Sequence, residues 1–311
     1  MNRSATAADE LPAFFPAGDD ELFGILTHPT VESNGMAIVM LQGGAWVPST
    51  GRNRLWVRMA RSLASRGFHA LRIDYHGVGE STGDIDNYRL DRPFVTDVEG
   101  AIRWIEGRGV SEFVLMGTCF GARTALASAE RVTGLRGVAL CPPPVRDFEM
   151  GNRIASRPLW WHAQRALRPQ VWKGLVNRKR RGAYGRIIRA KARDLVGQGR
   201  GRVNGTPPQK FSWVSPNFLR PLQRLVEREI PVLIVYGTTD DFYDDFNRGL
   251  SKGLGELLAQ AGDLITLILV EGTVHGLGSL EIQDAVAAAV ERWLREEVVD
   301  RPAPPTTRAP A

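Results

Sequence analysis

Cysteine is nearly absent from this sequence: Cys119 and Cys141 are the two in 311 residues. Two are too few for a disulfide framework, and the five histidines do not cluster with cysteine or acid at metal-ligand spacing. Neither a stapled scaffold nor a metal centre is therefore expected. Long apolar runs are missing as well. The longest strand-like stretches, MAIVML and LITLILV, fall far short of the roughly 18–20 residues that span a bilayer, so no transmembrane segment is expected. The opening MNRSATAADE has no apolar stretch after its arginine, which argues against a secretory leader and for a cytoplasmic location. A dinucleotide site is not expected either. GVGEST follows a strand-like run, but its third glycine is Gly83, one position too late for G-x-G-x-x-G, and no cofactor is implied.

What remains is a globular composition, 43% hydrophobic and 24% charged, with an uneven distribution of charge. Residues 151–220 hold 17 Lys or Arg against one acid, Asp194, a net charge of +16. The rest of the chain holds 23 basic and 33 acidic residues, a net charge of −10. Such asymmetry gives the basic segment a surface role or partner of its own. No nucleic-acid motif accompanies it, so nucleic acid is not the expected partner.

Short apolar runs alternate with helical patterns, the signature of βα units and a mostly parallel sheet with helices on both faces. Strands are expected near 22–27, 36–41, 69–74, 112–116, 136–140, 231–237 and 264–270, with helices over 52–66, 93–107, 120–131 and 281–297. Residues 148–225 break the alternation. Trp160, Trp161, Leu167, Val171, Trp172 and Leu175 recur at helical spacing without a strand between them, which predicts a basic helical cap inserted into a core of 20–147 and 226–298. Ser215 and Pro216 stand where an N-cap and first helical residue belong. Residues 1–19 are expected to be flexible, and the proline-rich stretch 299–311 reads as a disordered tail.

The chemistry centres on VLMGTCFGARTALASA, residues 114–129, where a strand passes through G-T-C-F-G into a helix. A sharp strand-to-helix turn of this pattern presents a nucleophile, here Cys119, and glycines on either side let the two backbones approach. The helix start favours a thiolate, and the Phe120 amide points towards a developing oxyanion. A buried free cysteine can equally be a small core hydrophobe, so the reading depends on partners. An acid and then a histidine should follow the nucleophile in the chain. Asp240 and Asp241 follow the run PVLIVYG, and His275 lies in EGTVHGLG after LITLILV. Asp147, after the run that holds Cys141, is the rival acid. LQGGAW, residues 41–46, brings Gly44 forward as a second oxyanion amide, with Trp46 as a pocket residue, and His76 in DYHGVGEST is a candidate for the pocket rim.

With these residues the chain resembles the α/β-hydrolase superfamily over roughly 20–298: GTCFGAR as nucleophile elbow, LQGGAW as oxyanion loop, and the insertion where that family carries its cap. The resemblance implies an α/β-hydrolase fold with Cys119 as nucleophile, His275 as base and Asp240, three residues after Gly237, as acid. Cysteine in place of serine is similar to branches that include dienelactone hydrolases, polyhydroxyalkanoate synthases, exosortase-associated hydrolases and Dieckmann-type cyclases. That similarity implies a thioesterase, acyltransferase or cyclase acting through an acyl-S-cysteine, with a role in secondary metabolism such as antibiotic biosynthesis. The expected substrate is an acyl thioester carried by coenzyme A or by an acidic acyl or peptidyl carrier protein, which the basic cap would attract. A carboxylesterase or lactone hydrolase is the alternative enzyme, and a basic binding module that retains the fold is the alternative that is not an enzyme.

Overall fold

Burial follows the central apolar runs. The computed structural model describes residues 9–44, 48–84, 89–147 and 213–302. The expected cap over 148–212, Trp46, residues 1–8 and the tail over 303–311 lie outside the described residues. Eight strands form one sheet: β1 Glu10–Ala17, β2 Asp20–Thr27, β3 Met36–Leu41, β4 His69–Ile73, β5 Glu112–Gly117, β6 Leu135–Leu140, β7 Val232–Gly237 and β8 Ile265–Val270. Their order is β1-β2-β4-β3-β5-β6-β7-β8, and β2 alone runs against the others. Every residue of β3, β6 and β7 is buried, as strands covered on both faces require.

Seven strands lie where the apolar runs predict them. The N-terminal expectation is corrected: residues 10–17, taken as part of a flexible segment, form β1, paired antiparallel with β2 from Glu10 to Ala17. Pro12 and Pro16 break the strand pattern in ELPAFFPA, but an edge strand has one unpaired side and tolerates their missing donors. Phe15 anchors it, buried and stacked on Trp104 at 5.2 Å between ring centroids.

Helices cover both faces. Helix α1, Leu55–Ala64, packs with the C-terminal helix on one side, where Trp56, Met59 and Leu63 meet Val286, Val290 and Trp293 over β3 and β7. Helices α2, Val95–Glu106, and α3, Phe120–Ser128, pack together on the other. Helix α4, Pro216–Glu227, begins as expected, its Ser215 hydroxyl accepting from the Asn217 N–H at 3.0 Å. It packs on α3 with Phe218, Leu222 and Leu225 buried, so the stretch from 216, assigned to the end of the cap on sequence, lies against the sheet's own helices. Helices α5, Asp241–Gly249, and α6, Gly255–Ala261, follow β7, and α7, Leu280–Trp293, closes the fold.

Far from the turn at Cys119 in the chain, His69 opens β4 with its Nδ1 buried and, among the described residues, without a hydrogen bond. Burial, with the neighbouring His28 adding to it, holds the imidazole below its usual pKa. An unfolded chain takes up that proton near pH ~6.5, before the fold does. This contribution to stability is therefore complete above about pH 6.5 and declines as pH falls towards the lowered folded value. The melting temperature of His69→Gln is expected to fall less between pH 7.5 and 5.5 than that of the wild type. Parallel curves would show that another group governs the acid limb.

Candidate active site

Strand β5 ends at Gly117, and α3 begins at Phe120, so only Thr118 and Cys119 make the turn. The turn is tight enough to need both flanking glycines. A Cβ on Gly117 would lie 2.2 Å from the Gly121 carbonyl oxygen, and one on Gly121 would lie 2.2 Å from that of Leu41. Cys119 takes φ 49° and ψ −110°, a left-handed conformation that a side-chain-bearing residue adopts only when its surroundings impose it. Those surroundings are visible as hydrogen bonds. The Thr118 N–H donates to Leu41 O at 3.1 Å, the Cys119 N–H to Cys141 O at 3.3 Å, and the Cys141 N–H to Gly117 O at 2.8 Å.

The thiol-bearing residue is 6% exposed and caps the N-terminus of α3, the end of a helix whose dipole favours negative charge. Cys141 offers a contrast. It is fully buried, and desolvation pushes its thiol up to about 12, which makes it an inert part of the core.

Gly43 lies directly against Cys119: a Cβ there would be 3.2 Å from that of the cysteine. Its carbonyl accepts the Phe120 N–H at 3.4 Å. A trans peptide points its C=O and N–H in opposite directions. With the Gly43 carbonyl turned towards Phe120, the Gly44 N–H is therefore turned away, and the two expected oxyanion amides do not converge in this arrangement.

Across the sheet edge, β7 and β8 deliver the acid and the histidine. Asp240 is 1% exposed, its Oδ2 accepting from the Gly237 N–H at 2.7 Å and its Oδ1 from the His275 backbone N–H at 2.9 Å. The carboxylate is thus fixed beside His275, whose exposed ring meets Phe242 edge-on at 4.5 Å. Asp241 starts α5 half-buried, and among the described residues its side chain has no hydrogen bond or ion pair. The carboxyl ends of β3, β5, β7 and β8 therefore carry, in order, the glycine loop, Cys119, Asp240 and His275.

The sequence profile of the alpha/beta hydrolase family matches residues 38–298. The chain belongs to the alpha/beta hydrolase family. Solved structures with the same fold include the proline iminopeptidase of Mycobacterium smegmatis, with 19% identity, 92% of this chain and 98% of that chain covered, and a TM-score of 0.55. The esterase PF2001 of Pyrococcus furiosus is similar at 12% identity, with 94% and 92% covered and a TM-score of 0.58. The haloalkane dehalogenase DatA of Agrobacterium tumefaciens C58 shares 18% identity, with 93% and 97% covered and a TM-score of 0.55. These identities establish the shared fold.

The remaining candidates in this alpha/beta hydrolase have separate partners. Asp147 serves Arg123: its Oδ1 lies 2.7 Å from Arg123 Nη2, and its Oδ2 accepts the Ser215 hydroxyl at 2.6 Å and Asn217 Nδ2 at 3.3 Å. His76 is held by a carboxylate that sequence reasoning missed. Its Nδ1 lies 3.0 Å from each oxygen of the buried Asp97, and its ring lies 4.2 Å from Phe94, which in turn lies 4.9 Å from Phe120. No local pattern in DYHGVGEST points to Asp97, twenty-one residues on.

The same loop is organised by Asp74, whose carboxylate accepts from the N–H groups of Ser49 at 2.6 Å and Glu80 at 3.4 Å. Burial raises its pKa, and Gly79 of the loop packs directly against this buried carboxylate. Among the described residues, no group of three His, Cys, Asp or Glu could hold a metal ion, and no helix is long and apolar enough to cross a membrane.

Proposed function

We propose that this alpha/beta hydrolase is a cysteine-dependent acyl-transfer enzyme. The observation that carries the reading is the strained Cys119 at the start of α3, with Asp240 fixed beside His275 on the same edge of the sheet. His275 takes the Sγ proton, and the thiolate attacks a thioester or ester carbonyl. The Phe120 and Gly44 amides hold the oxyanion once the Gly43–Gly44 peptide has rotated, a motion that glycine permits at little steric cost. Collapse of the tetrahedral adduct expels the leaving thiol or alcohol with the proton from His275, leaving an acyl-S-cysteine. His275 then deprotonates the acceptor, and the Cys119 thiolate departs. Asp240 orients and stabilises the imidazolium throughout.

Sulfur directs the choice of donor. A thiolate exchanges readily with a thioester, and the acyl-cysteine it forms remains as activated as its source, so water, another nucleophile or an internal carbanion could accept the chain. Acyl thioesters on coenzyme A or on an acidic acyl or peptidyl carrier protein are anionic, and the +16 segment 151–220 would draw them in by long-range attraction. Trp46 and the tryptophans of that segment suit a medium or long acyl chain. The proposal includes a cytoplasmic setting, where the two cysteines would stay reduced. A carboxylesterase or lactone hydrolase is the second reading, favoured by the likeness to the PF2001 esterase.

The test is the intact mass of wild type and Cys119→Ala after mixing with a panel of acyl thioesters and esters. An acyl adduct on the wild type alone is expected, and its decay product identifies the acceptor. Adducts from esters only would favour the esterase reading. No adduct from any donor would leave the fold as a binding module.

A further inference from the structure

The loop after β6 reads CPPPVRD, residues 141–147. Pro142, Pro143 and Pro144 carry no backbone N–H, so this run offers acceptors and no main-chain donors. Buried side chains supply the missing donors. The Tyr236 hydroxyl donates to Pro143 O at 2.7 Å, and Arg123 Nη1 donates to Pro144 O at 3.1 Å. The first residue of the loop is tied to the elbow in both directions, because the Cys141 N–H binds Gly117 O and Cys141 O accepts the Cys119 N–H. The acceptor that holds the amide of the strained Cys119 thus belongs to a loop held in place by Arg123.

Arg123 is unusual in its own right. It sits four residues after Cys119 on α3, and its side chain is 1% exposed. Beyond Pro144 O, its Nη2 reaches Leu90 O at 3.2 Å, Asp147 Oδ1 at 2.7 Å and Ser215 Oγ at 3.4 Å. Ser215 in turn donates its N–H to Val145 O at 2.8 Å and its hydroxyl to Asp147. One guanidinium therefore fastens α3 to the loop of residues 141–147, to the segment before α2 and to the start of α4. Burying a guanidinium against a partly exposed carboxylate is a poor device for stability alone, since well-packed apolar side chains commonly do as well or better. A planar fork with five donors suits simultaneous positioning of several acceptors, which an ammonium or an apolar chain cannot reproduce.

We infer that Arg123, with Asp147 as its counter-charge, is a positioning residue for the nucleophile: by fixing the loop of residues 141–147 it holds Cys141 O where the Cys119 amide needs it. Asp147 thereby has a role other than that of triad acid. The inference rests on Cys119 being the nucleophile, and its test does not depend on the identity of the acyl donor.

The experiment follows iodoacetamide alkylation of Cys119 by intact mass from pH 6 to 10, with Cys119→Ala as background. Cys141, buried and pushed up to about 12, does not compete. Arg123→Lys keeps the charge and loses the fork. With the protein folded by circular dichroism, its alkylation at pH 7 is expected to slow by about threefold or more, with the pH midpoint displaced from that of the wild type. With an acylating thioester, kcat is expected to fall about tenfold while KM stays within about twofold, the pattern of a misplaced nucleophile. A folded Arg123→Lys with wild-type alkylation rates and pH profile would overturn the inference. If Arg123→Lys does not fold, Tyr236→Phe removes only the donor to Pro143 O. The same shifts, smaller in size, are then expected, and an unchanged profile overturns the inference. A wild type that is alkylated but never acylated would refute the acyl-transfer reading and leave the alkylation result to decide the role of Arg123.

Discussion

Asp240→Asn is expected to lower the rate of Cys119 acylation by about 1,000-fold, and Asp241→Asn to leave it within about twofold. The two residues are adjacent in sequence but differ in surroundings. Asp240 is buried, with both oxygens accepting backbone N–H bonds, from Gly237 at 2.7 Å and His275 at 2.9 Å. A carboxamide has one acceptor oxygen, so whichever way it is turned, one of those N–H groups faces an NH2 donor. The lost acceptor disturbs the loop that carries His275, and the lost charge removes stabilisation from the imidazolium formed during proton transfer. Asp241 is half-buried at the first position of α5 and has neither task. Single-turnover acylation of both variants, followed by mass, decides between them. Equal and small effects would remove Asp240 from the proposed triad.

The choice between Asp240 and Asp241 also marks where sequence reasoning stops. The strand pattern shows that an acid follows β7, but TTDDFYDDF contains no signal that one carboxylate is buried and its neighbour is not. Burial depends on how α5 turns away from the sheet, a tertiary fact. Elements whose apolar character is continuous, such as MAIVML and VLIVYG, were legible because two covered faces demand it. Strand β1 was not, since its two prolines imitate a break that an edge strand tolerates. Helices α5 and α6, over 241–261, went unassigned amid a run of acids and scattered glycines.

At the candidate site, the turn at Cys119 with its two glycines and the loop position of His275 follow from local pattern and chain order. Asp97, Arg123 and Phe242 do not, because each matters through a partner distant in sequence or packed from another element. Arg123 left one trace: a charged residue on the buried side of the helix FGARTALAS, where an unpaired guanidinium would be prohibitive.

Gly121→Ala is expected to be among the most destabilising single substitutions in the protein, although helix propensity argues the other way. Residue 121 is the second position of α3, and alanine in a helix interior is favoured over glycine by about 1 kcal/mol. Against this, the added Cβ would sit 2.2 Å from Leu41 O and 2.5 Å from Gln42 O. Both are backbone atoms at the end of β3, a strand buried along its whole length and paired on both sides, so neither can swing aside as a side chain would. Moving α3 outward instead would break the Thr118 N–H bond to Leu41 O and pull the elbow from its acceptors. Overpacking costs about 1–3 kcal/mol and more where backbone must move, so about 3 kcal/mol or more is expected here, which outweighs the propensity gain. In a chain of this size, at about 1.5 °C per kcal/mol, that corresponds to a loss of about 5 °C or more in melting temperature. Gly107→Ala, at the end of α2 where a Cβ would meet nothing closer than 3.6 Å, supplies the control and is expected to melt within about 3 °C of the wild type. If the two variants melted together, the close approach of α3 to β3 would not be what requires glycine at 121.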